Sequence, residues 1–380
     1  MGMVGGGEGA FIGAVHRMAA ALDSDIELVC GAFSSDPERS RRSGAALYLP
    51  AGRVYDDYRA MMTAEAGLPA DQRMQFVAIV TPNHQHFPVA EAALRAGFHV
   101  LSDKPATLNL DEALRLRELV SETGLLYGLT HTYTGYPLVK EARLRIAAGD
   151  LGNIRKIVVE YSQGWLADRQ EEADNKQAAW RLDPAQAGIS SCMGDIGVHA
   201  ANLAEYVSGR QIREICADLC AVVPGRTLDD DGTVLMRFDN GARGVLCASQ
   251  VSVGEENALG IRVYGDRGAL EWRQQEPNTL WLKWPDRPTE MLRTGAPYLS
   301  ELAAANTRTP MGHPEGYLEA FANIYQAFAG SIRARETGCP PDARASDCPG
   351  IESAIRGMTF IELAVAASDS DVKWHPFVQY

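Results

Sequence analysis

In the first third of the chain, short apolar runs alternate with longer amphipathic stretches. Phe76-Val77-Ala78-Ile79-Val80 is an unbroken apolar run of strand length, and 26–30, 99–101 and 125–129 read as further strands. Between them, 16–22, 89–96 and 110–123 carry apolar residues at helical spacing, and 34–36 start the turn into a charged helix. Met3-Val4 supplies a short first strand that runs straight into a glycine cluster. This βαβ rhythm predicts a doubly wound parallel sheet of the Rossmann kind.

After about residue 130 the period changes. A helix is expected over 136–148, ending at Gly149, and a strand over 154–161. Between 212 and 282 several strands follow, among them 233–238, 243–247 and 260–264, with Asn240-Gly241 and Asp266-Arg267-Gly268 as hairpin turns. Helical spacing returns over 317–331 and 351–367. The expected fold class is α/β: a dinucleotide-binding domain over 1–129 and a second α/β domain over 130–380. The second carries a large, mainly antiparallel sheet and C-terminal helices that can pack back on the first. A length of 380 residues suits two domains.

Composition narrows the partners. With 36 Lys and Arg against 49 Asp and Glu the net charge is -13, so nucleic acid or anionic lipid would be gripped against the field of the whole protein. No apolar run approaches the roughly 20 residues of a membrane span, and Met1-Gly2-Met3-Val4-Gly5 shows no basic stretch ahead of an apolar one, so no secretory signal is expected. Seven cysteines, odd in number and without a CxxC pair, suit a reducing cytoplasm.

Four short segments carry candidate chemistry. Gly5-Gly6-Gly7-Glu8-Gly9 sits between the first strand and a helix, where backbone amides can approach a pyrophosphate at the positive end of the helix dipole. The spacing is not the compact GxGxxG: Ala10 holds the third glycine position and Gly13 comes three residues later. After the second strand, Asp36 could accept from ribose hydroxyls and favour NAD, Ser34 backed by Arg39 could hold the 2′-phosphate of NADP, or Asp36 could simply cap the helix beginning at Pro37. Asp103-Lys104-Pro105 lies at the carboxyl edge of the sheet, where a lysine can stabilise developing negative charge. Asp195 and His199, at i and i+4, share one helical face. Each has a bland alternative in a surface lysine, a capping aspartate or a core histidine. His84-x-His86 lacks a third ligand at any metal-site spacing, so no metal is expected.

Taken in order, Gly5-x-Gly7 with Gly13-x-x-His16, Thr81-Pro82-Asn83-x-x-His86, Asp103-Lys104-Pro105 and Gly194-Asp195-x-Gly197-x-His199 resemble the Gfo/Idh/MocA oxidoreductases, the family of glucose-fructose oxidoreductase and inositol 2-dehydrogenase. The family usually has Glu where this chain has Asp103, and a glycine run where it has Ile189-Ser190-Ser191. The resemblance implies a Rossmann domain followed by a domain with a large open-faced sheet, through which homodimers or homotetramers form. It implies cofactor contacts from Gly5, Gly7, Gly9, Phe11, Ile12, Ser34, Asp36, Arg39, Thr81, Pro82, Asn83, His86, Asp103 and Lys104. Lys104, Asp195 and His199 would then surround the carbinol, joined at the substrate by Tyr161, Trp165, Arg181 and His313.

For an alcohol to surrender hydride, its hydroxyl proton must also leave. His199, with a reference pKa of about 6.5, is the better base, and a lysine at about 10.4 the better polariser of the oxygen. The implied reaction is hydride transfer between a ring hydroxyl of a sugar or cyclitol and NAD, with NADP as the other choice. An NAD-dependent glycosidase that oxidises its sugar transiently, and a non-catalytic sensor of the same fold, are the alternatives. The donors, carboxylate and aromatic surface of the expected pocket suit an unphosphorylated ring, whereas the planar fork of Arg181 would equally suit a carboxylate or phosphate.

Overall fold

The computed structural model describes residues 1–172, 175–378 and 380. Among these the chain forms two compact units, Met1–His131 with Phe321–Ile355, and Thr132–Ala320 with Arg356–Tyr380.

The first unit is built on five parallel strands: β1 (Gly2–Gly5), β2 (Cys30–Ala32), β3 (Phe76–Val80), β4 (His99–Ser102) and β5 (Tyr127–Leu129), in the order β2-β1-β3-β4-β5. Every residue of β3 is buried, as expected where crossover helices cover both faces of a parallel sheet. Those helices start on side-chain caps: Asp36, Asp57 and Asn109 each accept from backbone N–H groups of the first turn. The helix Leu110–Thr123 has the predicted bounds and ends on Gly124 in the left-handed region, φ 64°.

Two expectations here need correction. The strand foreseen at 26–30 begins only at Cys30, where the register with β1 opens as Gly2↔Cys30, Met3↔Gly31 and Val4↔Ala32; ahead of it the main chain still meets Met1, with Val29 N on Met1 O at 2.9 Å. The helix foreseen from residue 16 starts at Phe11, immediately after the glycine turn.

The second unit holds nine strands: β6 (Ile154–Ser162), β7 (Ile212–Cys220), β8 (Asp231–Phe238), β9 (Arg243–Ser249), β10 (Ala258–Gly265), β11 (Ala269–Arg273), β12 (Thr279–Lys283), β13 (Glu290–Arg293) and β14 (His375–Pro376). Their order is β13-β12-β11-β10-β6-β9-β8-β7-β14, and every pair is antiparallel except β6 with β9. The two foreseen turns join β8 to β9 and β10 to β11. Along β8, Val234, Met236 and Phe238 are buried while Thr233 and Leu235 are exposed, the alternation of a sheet covered on one face. The helix Val198–Ser208 packs on β6 from the covered face. No helix among the described residues is long and apolar enough to cross a membrane.

Candidate functional site

In the first unit the glycine turn is shaped by close approach. A Cβ on Gly13 would stand 2.3 Å from Gly6 O, so the helix packs backbone to backbone on the turn, and Gly13 does the work of the missing third glycine. Arg17 Nη1 donates to Gly6 O at 2.6 Å from behind, and Ser43 Oγ accepts from Glu8 N at 3.0 Å. Ala10 gives the helix Phe11–Ala21 no side-chain cap, Phe11 is exposed, and a Cβ on Gly9 would meet nothing within 4 Å. Uncapped N–H groups facing open space behind a glycine turn fit a pyrophosphate.

Beyond β2, Ser34 Oγ accepts from Asp36 N at 3.1 Å, and Asp36 Oδ1 accepts from Glu38 N at 2.9 Å and Arg39 N at 3.2 Å. The capping role of Asp36 is therefore real, and these backbone donors, that of Arg39 first, hold its carboxyl below the usual range. Two arginines nearby are already paired, Arg41 with Asp56 and Arg42 with Glu8.

At the carboxyl edge of the sheet, Asp103 Oδ1 accepts from Lys104 N at 2.9 Å and from Thr130 Oγ1 at 2.8 Å. Its Oδ2 lies 3.8 Å from His16 Nε2, and His16 Nδ1 is 2.8 Å from Tyr325 OH. Burial pushes the Asp103 pKa up, but His16, Lys104 and His86 together outweigh it and hold the group well below the carboxylate range. Asp103 thus fixes the main chain that presents Lys104; the Lys104–Pro105 bond is cis. His86, buried, sets Nδ1 2.6 Å from Pro105 O and Nε2 2.8 Å from Thr81 O, tying the turn after β4 to the turn after β3. Thr81 and Pro82 lead into the 3-10 turn Asn83–Gln85, where Asn83 is buried.

In the second unit, buried Asp229 anchors the segment that carries Asp195. Its Oδ1 accepts from Ser191 N at 2.9 Å, and its Oδ2 from Met193 N at 2.9 Å and Ser190 Oγ at 3.0 Å. The Ser190-Ser191 pair in place of glycines is therefore used structurally. Asp195 does not lie on a regular α-helix as its spacing to His199 implied. It lies in a π-turn, Met193–Gly197, in which Val198 N bonds to Met193 O, and His199 follows in the α-helix. Such widened turns concentrate at functional sites.

Asp195 Oδ2 accepts from Arg181 Nε at 3.2 Å and from Gln250 Nε2 at 3.0 Å. Arg181 Nη1 donates to Gln177 Oε1 at 2.7 Å and to Gln177 O at 3.2 Å, and the guanidinium carbon stands 4.3 Å from the Trp180 ring centre and 5.9 Å from that of Trp165. His199 is buried, with the Tyr133 ring set edge-on at 4.8 Å. Tyr133 and Tyr161 share a short hydrogen bond between their hydroxyls; Tyr161 OH donates to Asn257 Oδ1 at 2.8 Å, and Asn257 Nδ2 donates to Tyr133 OH at 3.2 Å. Gln163 extends the chain, donating to Asn257 Oδ1 at 2.7 Å and accepting from Trp165 Nε1 at 2.9 Å. Burial pushes both tyrosine pKa values up, so both hydroxyls keep their protons.

Within this unit the structure brings Tyr161, Trp165, Arg181, Asp195 and His199 into one connected cluster. His313 stands apart from it: it is exposed, and its ring contact is to Pro310 O in its own loop, 3.2 Å away. The sequence reading missed Tyr133, Gln163, Gln177, Gln250 and Asn257. Neutral residues without a motif around them carry no chemical signal, and only the position of Tyr133 just past the last Rossmann strand marks it. Among the described residues no group of three or more His, Cys, Asp or Glu is placed to hold a metal ion.

Comparison with known proteins agrees with both halves. Residues 1–131 match the model of the GFO/IDH/MocA oxidoreductase family with an NAD-binding Rossmann fold, and residues 139–271 match the GFO/IDH/MocA C-terminal domain. The chain is 32% identical over 378 residues to the uncharacterized oxidoreductase YfiI of Bacillus subtilis (strain 168), covering 99% of this chain and 96% of that one. An inositol dehydrogenase homologue of Azotobacter vinelandii in complex with NAD+ superposes with a TM-score of 0.94 at 36% identity, covering 99% of this chain and 96% of its own. An oxidoreductase of Sinorhizobium meliloti does so with a TM-score of 0.88 at 44% identity, covering 98% of each. Ordered motifs, both folds and full-length similarity coincide, and the chain belongs to the GFO/IDH/MocA family of NAD-binding oxidoreductases.

Proposed function

We propose that this enzyme transfers hydride between a ring hydroxyl of an unphosphorylated cyclitol or pyranose and NAD. The observation that carries the reading is the state of Arg181. Its guanidinium is committed to Asp195 and Gln177 and stacked on Trp180, so its charge is countered within the protein. What remains suits hydroxyl groups: a carboxylate, a buried histidine, tyrosine and amide groups, and the aromatic wall of Tyr161 and Trp165. Support from outside comes from the Azotobacter vinelandii inositol dehydrogenase homologue, 35% identical, whose structure was determined with NADH and myo-inositol.

Bound NAD supplies the hydride acceptor. In this reading His199 takes the hydroxyl proton, Lys104 polarises the reacting oxygen, and Asp195 binds a neighbouring hydroxyl and orients the ring. Residues 1–129 serve the cofactor and 130–380 the substrate, with Asp36 accepting from the ribose while it caps its helix. The outer face of the nine-stranded sheet is the surface through which we expect a homodimer or homotetramer to form. All seven cysteines are free, which fits a reducing cytoplasm.

The test is a spectrophotometric screen of NAD reduction over inositols, aldoses, glycosides, uronates and sugar phosphates. Turnover of a neutral ring supports the assignment; activity confined to phosphorylated or carboxylated sugars rejects it.

A further inference from the structure

We propose that Arg181 and Gln250 are positioning residues for Asp195: from opposite directions along the chain they pin one oxygen of its carboxylate, and the site thereby recognises hydroxyls and not anions. The inference rests on the reading of Asp195 as a group that meets a polyol.

Arg181 ends the short helix Lys176–Arg181, which Asn175 caps by accepting from Gln177 N at 3.0 Å and Ala178 N at 3.4 Å. Gln250 follows β9 directly. Its main chain is sewn in on both sides, with its N–H on Asp230 O at 2.8 Å and its carbonyl accepting from Leu166 N at 3.0 Å. The two side chains approach Asp195 from 14 residues before it and 55 residues after it, yet both donate to the same atom, Oδ2.

Three features distinguish this from ordinary packing. First, Arg181 is held by other groups as well as Asp195. Nη1 is occupied by the carbonyl and side chain of Gln177, and one face of the guanidinium lies on Trp180, so it cannot swing toward a ligand without giving up all three. Second, Gln250 is fully buried, and its Oε1 has no hydrogen-bond partner among the described residues. A buried acceptor left unmet calls for a reason. Here the reason is that the amide must turn its N–H group to the carboxylate, since the reverse orientation would set Oε1 against Asp195 Oδ2. Third, an anionic ligand drawn to Arg181 would meet Asp195 beside it, and the repulsion offsets the attraction. Two donors on one oxygen hold the carboxylate plane still, so that it is presented in a fixed orientation to a hydroxyl.

The experiment is a double-mutant cycle among Arg181→Ala, Gln250→Ala and Asp195→Asn, assayed with whichever inositol or unphosphorylated pyranose the wild type oxidises fastest. On the wild-type background Arg181→Ala is expected to lower kcat about 100-fold and Gln250→Ala about tenfold, the scale of losing a group that orients another, with KM changing less than about threefold. Arg181→Lys, which keeps the cation, loses less than about tenfold. On the Asp195→Asn background either alanine costs less than about twofold, because the group being positioned is gone. Equal losses on both backgrounds, or a raised KM at unchanged kcat, would overturn the proposal and make Arg181 a direct substrate contact. Should the wild type oxidise no neutral ring, the proposed function falls and the cycle is read by thermal denaturation of the cofactor-free protein. There, coupled Tm shifts for Arg181→Lys and Asp195→Asn support the positioning role, and additive shifts overturn it.

Discussion

Asp103 and Asp195 are both carboxylates beside a candidate catalytic cation or base, yet they are built differently. Asp103 is held at the edge of a parallel sheet by partners of the Rossmann framework: the N–H of its neighbour Lys104, the hydroxyl of Thr130 and the ring of His16. Asp195 is held by two side chains, Arg181 and Gln250, which converge on a π-turn from loops and a short helix. The first carboxylate shapes the main chain, and its ion pair and hydrogen bonds are satisfied within its own unit. The second takes two side-chain donors on one oxygen, Oδ2. The difference shows how one residue type can be scaffold in one place and site in another, depending on whether its partners are backbone and framework or other side chains.

The largest effects are expected at the groups that would handle the proton and the reacting oxygen. Lys104→Met and His199→Ala are each expected to lower turnover by about 10²- to 10⁴-fold while NAD affinity, measured by calorimetry, changes little. Near-normal turnover in either variant would remove its assigned role. Next in size is the contrast between the carboxylates themselves. Asp103→Ala strips a buried network of its acceptor and should cost about 3 kcal/mol in urea denaturation, whereas Asp195→Asn should cost less than about 1 kcal/mol and act on turnover. A similar stability loss in both would erase the distinction drawn here.

The acid side of the stability profile sharpens it further. Burial lowers the pKa of His131 from its ordinary 6.5 to about 3, and burial lowers that of His86 in the same direction. A folded-state pKa below the unfolded one contributes stability that is fully present above the unfolded value and is lost as pH falls toward the folded value. Between pH 6.5 and 5, His131 alone accounts for a loss of about 2 kcal/mol. His131→Gln should flatten that limb of a Tm-against-pH curve, and an unchanged limb would show that other groups set it. The smallest effect is at the helix after β2: Asp36→Ala removes a helix cap and should lower Tm only slightly. If the same variant also narrows the preference for NAD over NADP in a binding assay, the residue serves ribose and helix together; an unchanged preference leaves it a cap alone.

Much of the scaffold was readable before any coordinates. Phe76–Val80 and Leu110–Thr123 have the foreseen bounds because an unbroken apolar run needs burial on both faces, and because Asn109 and Gly124 mark the helix ends chemically. The run 26–30 reads as a strand throughout because apolar residues dominate it, yet the paired register with β1 opens at Cys30 and exposed Glu27 interrupts the apolar pattern ahead of it. His313 is expected at the substrate from the family resemblance alone; in its loop it is exposed, while Glu315 is buried and accepts from Thr309 N at 2.6 Å.

The amino-acid order by itself determined the two-part α/β plan, the glycine turn and the lysine at the sheet edge, since each is a local pattern enforced by covalent spacing. Only the tertiary structure decided that Gly13 closes the turn against Gly6, that β6 and β9 run parallel, that Arg181 answers to Asp195, and that Tyr133, Tyr161 and Asn257 close a ring of hydrogen bonds beside His199. Those contacts join side chains distant in sequence, Tyr161 and Asn257 lying 96 residues apart. Their geometry depends on how whole elements pack, a collective outcome that no window of local pattern contains.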